Sequence, residues 1–310
     1  MTKKFSEEII GPIRKQHKDM IYPTVRVRAG KAGGSGLVIY SQPIPDQELA
    51  DGEDPKYESY VMTCHHVIEG AIKMVKKKHP FAERTIEVEV RELVQVEIFE
   101  YEEMSSIVGA TQYNAEIVAW DKQFDLALLR LITARKMPYV AKLYPKGESS
   151  AVKLGMGLYS CGCSLGHEPI LNKGRLMGKH DIIENEPYWL STANTIFGNS
   201  GGSDFLVDTH EYIGITARIS GYQLGFNVDI ITWMGFIIPI ETIYRFWDDQ
   251  LFQFIYDKNY TSKQCEELRE KRRLEEEKKL LLPPAELPSK ISVNEAAKDK
   301  QAPKEPEDTE

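Results

Sequence analysis

The 310-residue chain carries 47 Asp and Glu against 39 Lys and Arg, a formal charge of −8, with 42% hydrophobic residues. That balance argues against a dedicated nucleic-acid binder, which shows a basic footprint, and no apolar run approaches the roughly 20 residues that span a bilayer. The four irregularly spaced cysteines make no disulfide scaffold, and the basic start Met1-Thr2-Lys3-Lys4 lacks the apolar core of a leader, so the expected setting is cytoplasmic and reducing, with no membrane association.

Residues 5–20 place Phe5, Ile9, Ile10, Ile13 and Met20 at a loose helical period, weakened by Pro12, and predict a short helical arm. From Thr24 the period becomes two. Val25 and Val27, then Leu37, Val38 and Ile39, read as strands around the turn Gly30-Lys31-Ala32-Gly33-Gly34-Ser35-Gly36. Residues 41–58 are polar, acidic and proline-bearing, a surface loop. Tyr60-Val61-Met62-Thr63-Cys64-His65-His66 reads as a strand that ends in two histidines, with His65 and His66 on opposite faces. Residues 85–100 alternate as one long ribbon through Ile86, Val88, Val90, Val94, Val96 and Ile98, and Asp125 stands at the head of the apolar strand Leu126-Ala127-Leu128-Leu129. Lys76-Lys77-Lys78 reads as a solvated turn.

After a break near Arg135-Lys136-Met137-Pro138 a second β-rich half begins, with strands around residues 157–162, 174–177, 189–192, 212–217 and 234–239. Many short strands between turn signals point to a sandwich or a barrel. Within this half lies Phe197-Gly198-Asn199-Ser200-Gly201-Gly202-Ser203. Glycines permit turns closed to other residues, so N–H groups can converge beside the Ser200 hydroxyl and receive the charge that develops on a carbonyl. Ser-Gly-Gly is also an ordinary loop. Cys161 and Cys163 lack a second ligand pair at zinc-site spacing and read as core or loop cysteines. Beyond Pro239 the pattern turns helical: Ile243, Phe246, Trp247, Phe252, Phe254 and Ile255 offer an apolar surface to the body. Thr261-Ser262-Lys263-Gln264 resembles a capping box for a charged, solvated helix to about Leu282, and residues 283–310 have a disordered composition.

A serine needs a base, and the base needs a group that fixes its tautomer. His66, Asp125 and Ser200 supply these types in order. Gly34-Ser35-Gly36, Thr63-Cys64-His65-His66-Val67, Asp125-Leu126-Ala127-Leu128-Leu129 and Gly198-Asn199-Ser200-Gly201-Gly202 resemble the motifs of trypsin-like serine peptidases, and Gly235-Phe236-Ile237-Ile238-Pro239-Ile240 resembles the last barrel strand of their HtrA/Deg branch. The likeness covers about residues 23–245.

The resemblance implies an all-β fold of two six-stranded antiparallel barrels: an arm at 1–22, a first barrel at 23–135 with His66 and Asp125, a second at 136–240 with Ser200, helices at 241–282 and a disordered tail at 283–310. It implies a serine endopeptidase for polypeptide substrates, which the expected cytoplasmic setting places in intracellular quality control or processing. Ser200 is then the nucleophile, His66 the base and later acid, and Asp125 the orienter. The N–H groups of Gly198 and Ser200 form the oxyanion hole, and no metal or organic cofactor is implied. Asn194, six residues before the nucleophile, falls at the floor of the substrate pocket with Thr216 and Ala217, which favours apolar or small side chains at the cleavage position. Trimers through the N-terminal arm are a property of the branch. Departures are Ser203 in place of a common proline, the insertions 41–58 and 85–110, and Asn199 in place of an aspartate that pairs with a new N-terminus in digestive relatives. The branch usually has an export leader and a PDZ domain; neither pattern is read here. The alternative functions are a non-catalytic or latent scaffold on a peptidase fold, and an enzyme that mainly cleaves itself or a dedicated partner.

Overall fold

The computed structural model describes residues 6–50, 52–78, 85–224 and 227–281. Chain contacts divide it into a unit of residues 1–267 and a second of 268–310.

Helix α1 (Glu7–Gln16) tolerates Pro12 in its interior and runs into a π-turn, His17–Ile21, where Met20 is fully buried. The first barrel then assembles from β1 (Thr24–Ala29), β2 (Ala32–Pro43), β3 (Tyr57–Thr63), β6 (Val94–Glu103), β7 (Ser106–Asp121) and β8 (Leu126–Leu131), closed in the order β1-β2-β3-β8-β7-β6 with every pair antiparallel. Alternation sets the faces: Val25, Val27 and Ala29 point inward, while Arg26 and Arg28 are left outward. In β8 Leu126, Ala127, Leu128 and Leu129 are all fully buried, so both of its faces are covered.

Two local expectations change. Thr63 ends β3, and the histidines sit on a short helical turn, α2 (His65–Ile68), rather than on opposite faces of a strand. The long alternating ribbon is two strands. β5 (Thr85–Arg91) pairs with β4 (Ile72–Lys78), which carries Lys76 to Lys78 as strand rather than turn, and β6 pairs with β1 and β7. The break falls at Glu92 and Leu93, where Glu92 N–H turns to the Ala71 carbonyl at 2.8 Å. An unbroken period of two cannot reveal a change of partner.

The second barrel comprises β9 (Gly157–Gly162), β10 (Ile170–Ile183), β11 (Glu186–Ser191), β12 (Ser203–Leu206), β13 (Tyr212–Leu224) and β14 (Asn227–Pro239), closed as β10-β11-β14-β13-β12-β9. β13 pairs with β12 as far as Ile215; from Ala217 onward, among the described residues, its partner strand is β14 alone, which leaves its other edge open. Helix α3 (Ile240–Asp249) buries Ile243, Phe246 and Trp247, and the following turn buries Phe252, Phe254 and Ile255. Phe252 and Phe254 meet the Tyr60 ring of β3 edge-on, with centroids 6.1 and 5.4 Å apart, so the C-terminal segment lies against the first barrel as its apolar pattern predicts. Thr261 caps α4 (Ser262–Leu281) reciprocally: its Oγ1 accepts Gln264 N–H at 3.2 Å and its own N–H donates to Gln264 Oε1 at 3.0 Å. The tail predicted as disordered, 283–310, lies outside the described residues.

Candidate active site

His66 and Asp125 come together where β3 runs into α2. Asp125 has a φ of +55°, a left-handed conformation that Asp tolerates better than most residues. This turns its carboxylate onto α2. Oδ1 accepts the His66 backbone N–H at 3.0 Å, and His66 Nδ1 lies 2.8 Å from Oδ2 and 3.0 Å from Oδ1. The Asp125 carbonyl also accepts His65 N–H at 3.1 Å. A carboxylate that is only 5% exposed is costly unless satisfied in this way. Because the carboxylate can only accept, Nδ1 is the protonated nitrogen and Nε2 is the free acceptor. The His66 side chain remains 42% exposed. Its neighbour His65 is buried against Trp120, ring centroids 5.0 Å apart, and burial lowers its pKa.

Ser200 sits in a turn held by two left-handed glycines, Gly198 at φ +92° and Gly201 at φ +83°. A Cβ on Gly201 would stand 2.1 Å from the Ser35 carbonyl and 2.4 Å from Thr63 Oγ1, so the turn requires glycine for space as well as for φ. The turn closes on itself through Asn199 N–H to Ile196 O at 3.1 Å and Gly202 N–H to Asn199 O at 2.7 Å.

Its main anchor comes from the other barrel. Ser35 of β2, fully buried, donates its N–H to the Ser200 carbonyl at 2.8 Å and its hydroxyl to the Gly198 carbonyl at 2.6 Å. The same hydroxyl accepts Cys163 N–H at 2.7 Å, and the Ser35 carbonyl accepts the Thr63 hydroxyl at 2.7 Å. The motif Gly34-Ser35-Gly36 is visible in sequence, but this stapling role is not, because the partners lie more than 120 residues away.

The Phe197 carbonyl accepts Leu165 N–H at 2.7 Å. In a trans peptide the next N–H points the opposite way, so Gly198 N–H is directed away from Leu165. Among the described residues, neither Gly198 N–H nor Ser200 N–H has an acceptor. The Ser200 hydroxyl donates to the Ala217 carbonyl at 3.3 Å, and among the described residues no hydrogen bond links it to His66. Asn199 is buried, with its Oδ1 accepting the Ser164 hydroxyl. A neutral amide held by a neutral hydroxyl supports this turn, with no ion pair.

The residues expected at the pocket are dispersed. Asn194 is exposed, and the neighbouring Thr195 is the one turned inward, its Oγ1 2.4 Å from where a Cβ on Gly235 would stand. Ala217 is buried beside Ser200. Thr216 faces the barrel interior, donating its hydroxyl to Asp204 Oδ2 at 2.7 Å, while its backbone bonds to Gly201 N–H and Gly202 O.

Asp204 is fully enclosed, its Oδ1 has no hydrogen-bond partner among the described residues, and burial pushes its pKa up to about 7 from 3.8. The folded chain therefore holds this proton more tightly than the unfolded chain. The stability linked to it is complete below the unfolded value and is lost as pH rises through about 7. We expect Asp204→Asn to gain on wild type by roughly 3 kcal/mol between about pH 4 and about pH 8, read from denaturant midpoints. A gap independent of pH would show that Asp204 stays ionised throughout.

Donor atoms of Cys64, His66 and Asp125 lie within 4.8 Å of one another. Both Asp125 oxygens are engaged by His66, and burial pushes the Cys64 thiol well up, which disfavours the thiolate that a metal needs. This donor set fits acid–base chemistry better than metal binding. Hollows among the described residues include one of about 660 Å³ between α1, the β6–β7 hairpin and residues 135–139, and one of about 450 Å³ beside Gly198.

The family model described as "Trypsin-like peptidase domain" matches residues 34–215. "Magnetosome formation protease MamE" of Paramagnetospirillum magneticum is 24% identical over 196 residues, 61% of this chain and 23% of that protein. "Probable periplasmic serine endoprotease DegP-like" of Pseudomonas savastanoi pv. phaseolicola is 25% identical over 198 residues, 63% of this chain and 33% of its own length. The chain thus spans a third or less of these two relatives. Among solved structures, Deg5 superposes with a TM-score of 0.52 at 18% identity, over 78% of this chain and 95% of that one. An HtrA-type protease with tripeptide gives 0.53 at 14%, over 80% and 64%. These likenesses establish the fold.

The cytoplasmic expectation is contradicted by these relatives, since the DegP-like proteins are described as periplasmic. Cysteine usage is a weak guide to compartment here because Cys64, Cys161, Cys163 and Cys265 are all free and buried. Burial raises the first three thiols, Cys161 to about 12, so they resist oxidation in any compartment. Among the described residues no helix is long and apolar enough to cross a membrane.

Proposed function

The chain belongs to the trypsin-like peptidase family, and from that membership we propose that it is a serine endopeptidase that works through an acyl-enzyme at Ser200. The observation that carries the proposal is the buried Asp125 carboxylate holding His66 Nδ1 at 2.8 Å, which leaves Nε2 as an exposed acceptor. In the reaction the Ser200 hydroxyl leaves the Ala217 carbonyl by rotation about its Cα–Cβ bond and gives its proton to Nε2 as Oγ attacks the peptide carbonyl. The oxyanion is received by the N–H groups of Gly198 and Ser200, which are otherwise unused. His66 then protonates the leaving amine, and a water deprotonated by His66 releases the acyl group.

The substrate adds as an antiparallel strand to the open edge of β13 from Ala217 onward. Its residues before the scissile bond lie along β13, and those after it continue past Gly198. The residue turned inward before the nucleophile is the neutral Thr195 rather than Asn194, so no carboxylate is brought there for a basic side chain and the cleavage position takes apolar or small residues. We place the protein in a periplasmic or secreted setting, as its DegP-like relatives are described. Self-association through the arm is supported by Ile9 and Ile13, which α1 leaves exposed.

Labelling with a fluorophosphonate probe tests the reading, since such a probe traps only a serine whose base and oxyanion donors are assembled. The expected result is one label per chain, mapped to Ser200 by mass spectrometry. Folded protein that takes no label favours the second reading, a latent or non-catalytic scaffold, which the engagement of the Ser200 hydroxyl with Ala217 supports.

A further inference from the structure

We propose that the cleft beside Gly198 is a cationic subsite that selects acidic side chains in the part of the polypeptide that follows the scissile bond. The inference rests on the acyl-transfer reading above and adds the chemistry of the substrate to it.

The cleft, about 450 Å³, is walled by Arg26, Arg28 and Lys31 from β1 and its turn into β2, by Leu165, and by Phe197 and Gly198. No Asp or Glu lines it among the described residues. Strand alternation produces this wall: Val25, Val27 and Ala29 fill the first barrel, so Arg26 and Arg28 must face outward on the same side. Arg26 is fixed as part of the structure, bonded through Nε to Glu97 and through a terminal nitrogen to the Gly166 carbonyl. Arg28 Nε lies 3.3 Å from Glu97 Oε1.

Among the described residues Glu97 is the one carboxylate paired with these cations, and its side chain is only 13% exposed, whereas that of Arg28 is 47% exposed. Lys31 is exposed and has no ion-pair partner among the described residues. Three cations against one carboxylate leave two positive charges in excess. The excess resides on the two side chains open to solvent, which line the same cleft as an oxyanion donor.

The direction of the substrate follows from β13. A strand antiparallel to its open edge approaches Ser200 with its N-terminal part over Ala217 and Arg218, so the chain after the cut leaves on the opposite side, into this cleft. There a guanidinium fork and an ammonium can meet Asp or Glu side chains with charge-assisted hydrogen bonds, while Lys or Arg at the same positions is repelled.

The test is a mass-spectrometric map of cuts made in a proteome-derived peptide library by the full chain, by Arg28→Glu/Lys31→Glu and by Lys31→Glu alone. Each enzyme is normalised to its fluorophosphonate-labelled fraction. Wild type is expected to enrich Asp and Glu roughly three- to tenfold over the first three positions beyond the cut, the scale of one or two exposed ion pairs. The double variant is expected to lose or invert that preference and Lys31→Glu to weaken it. At about 0.5 M salt, where the screening length is about 4 Å, the wild-type preference shrinks. Labelled wild type that cuts without acidic enrichment, or an enrichment that survives both variants, overturns the subsite and leaves the acyl-transfer reading standing. Folded wild type that neither labels nor cuts overturns both.

Discussion

Replacing Ser200 with alanine is expected to lower peptide turnover by roughly 10⁶-fold, the scale seen when the nucleophile of such a machine is removed. The fold should survive. The hydroxyl makes one hydrogen bond, to the Ala217 carbonyl at 3.3 Å, and losing it costs about 1 kcal/mol. The backbone of the turn is held instead by Ser35 and by Gly201 and Gly202. The proposed oxyanion donors, the N–H groups of Gly198 and Ser200, are main-chain groups and remain, so a residual rate of about 10³–10⁴ over water is expected from binding and electrostatics alone. Turnover within tenfold of wild type, at an unchanged melting temperature, would remove Ser200 from the chemistry.

Asp125→Asn should cost about 10⁴-fold in kcat, through a change of tautomer. The backbone N–H of His66 points at Oδ1 and can only donate, so the amide oxygen of asparagine must occupy that place. Its NH₂ group then stands where Oδ2 now meets Nδ1 at 2.8 Å. Two donors cannot face each other, so Nδ1 loses its proton and Nε2 carries it instead. An imidazole in that state cannot accept the Ser200 proton. Geometry is preserved and KM should change little, which separates this effect from a loss of substrate binding. A variant that retains more than a tenth of the wild-type kcat would falsify the orienting role of Asp125.

Much of this architecture is written in local pattern. The β-rich halves follow from alternation, and the burial of Phe246, Trp247 and Phe252 from an apolar helical segment after Pro239. The capping box at Thr261 follows from four consecutive residues. What depends on distant partners is not legible in that way. Alternation through residues 85–100 gives no hint that β5 turns to β4 while β6 joins β1 and β7. The histidines read as a strand end because the signal for α2 is the Asp125 carboxylate, 59 residues further on.

At the site the gap is sharper. Chemical types in order nominate His66, Asp125 and Ser200, and the first two lie in contact. The resting partner of the Ser200 hydroxyl is a backbone carbonyl, which no motif could announce. Counting six residues back nominates Asn194, yet the turn leaves Asn194 in solvent and buries Thr195 against Gly235. A one-residue rotation of a loop is invisible to spacing.

The Ser35 staple bears on when the proposed peptidase would become active. A protease that matured its nucleophile within one half of the chain could attack nascent neighbours, or its own unfinished partner domain, before folding was complete. Here the carbonyls of Gly198 and Ser200 and the amide of Cys163 all find their partner on β2 of the opposite barrel. The second barrel alone would leave those groups unsatisfied, with its glycine-rich turn held by its own bonds and those to Thr216 and Leu165. Docking of the halves thus completes the hydrogen bonding of the turn that carries Ser200. On the proposed function, catalytic competence then requires both halves in place and is lost when they part.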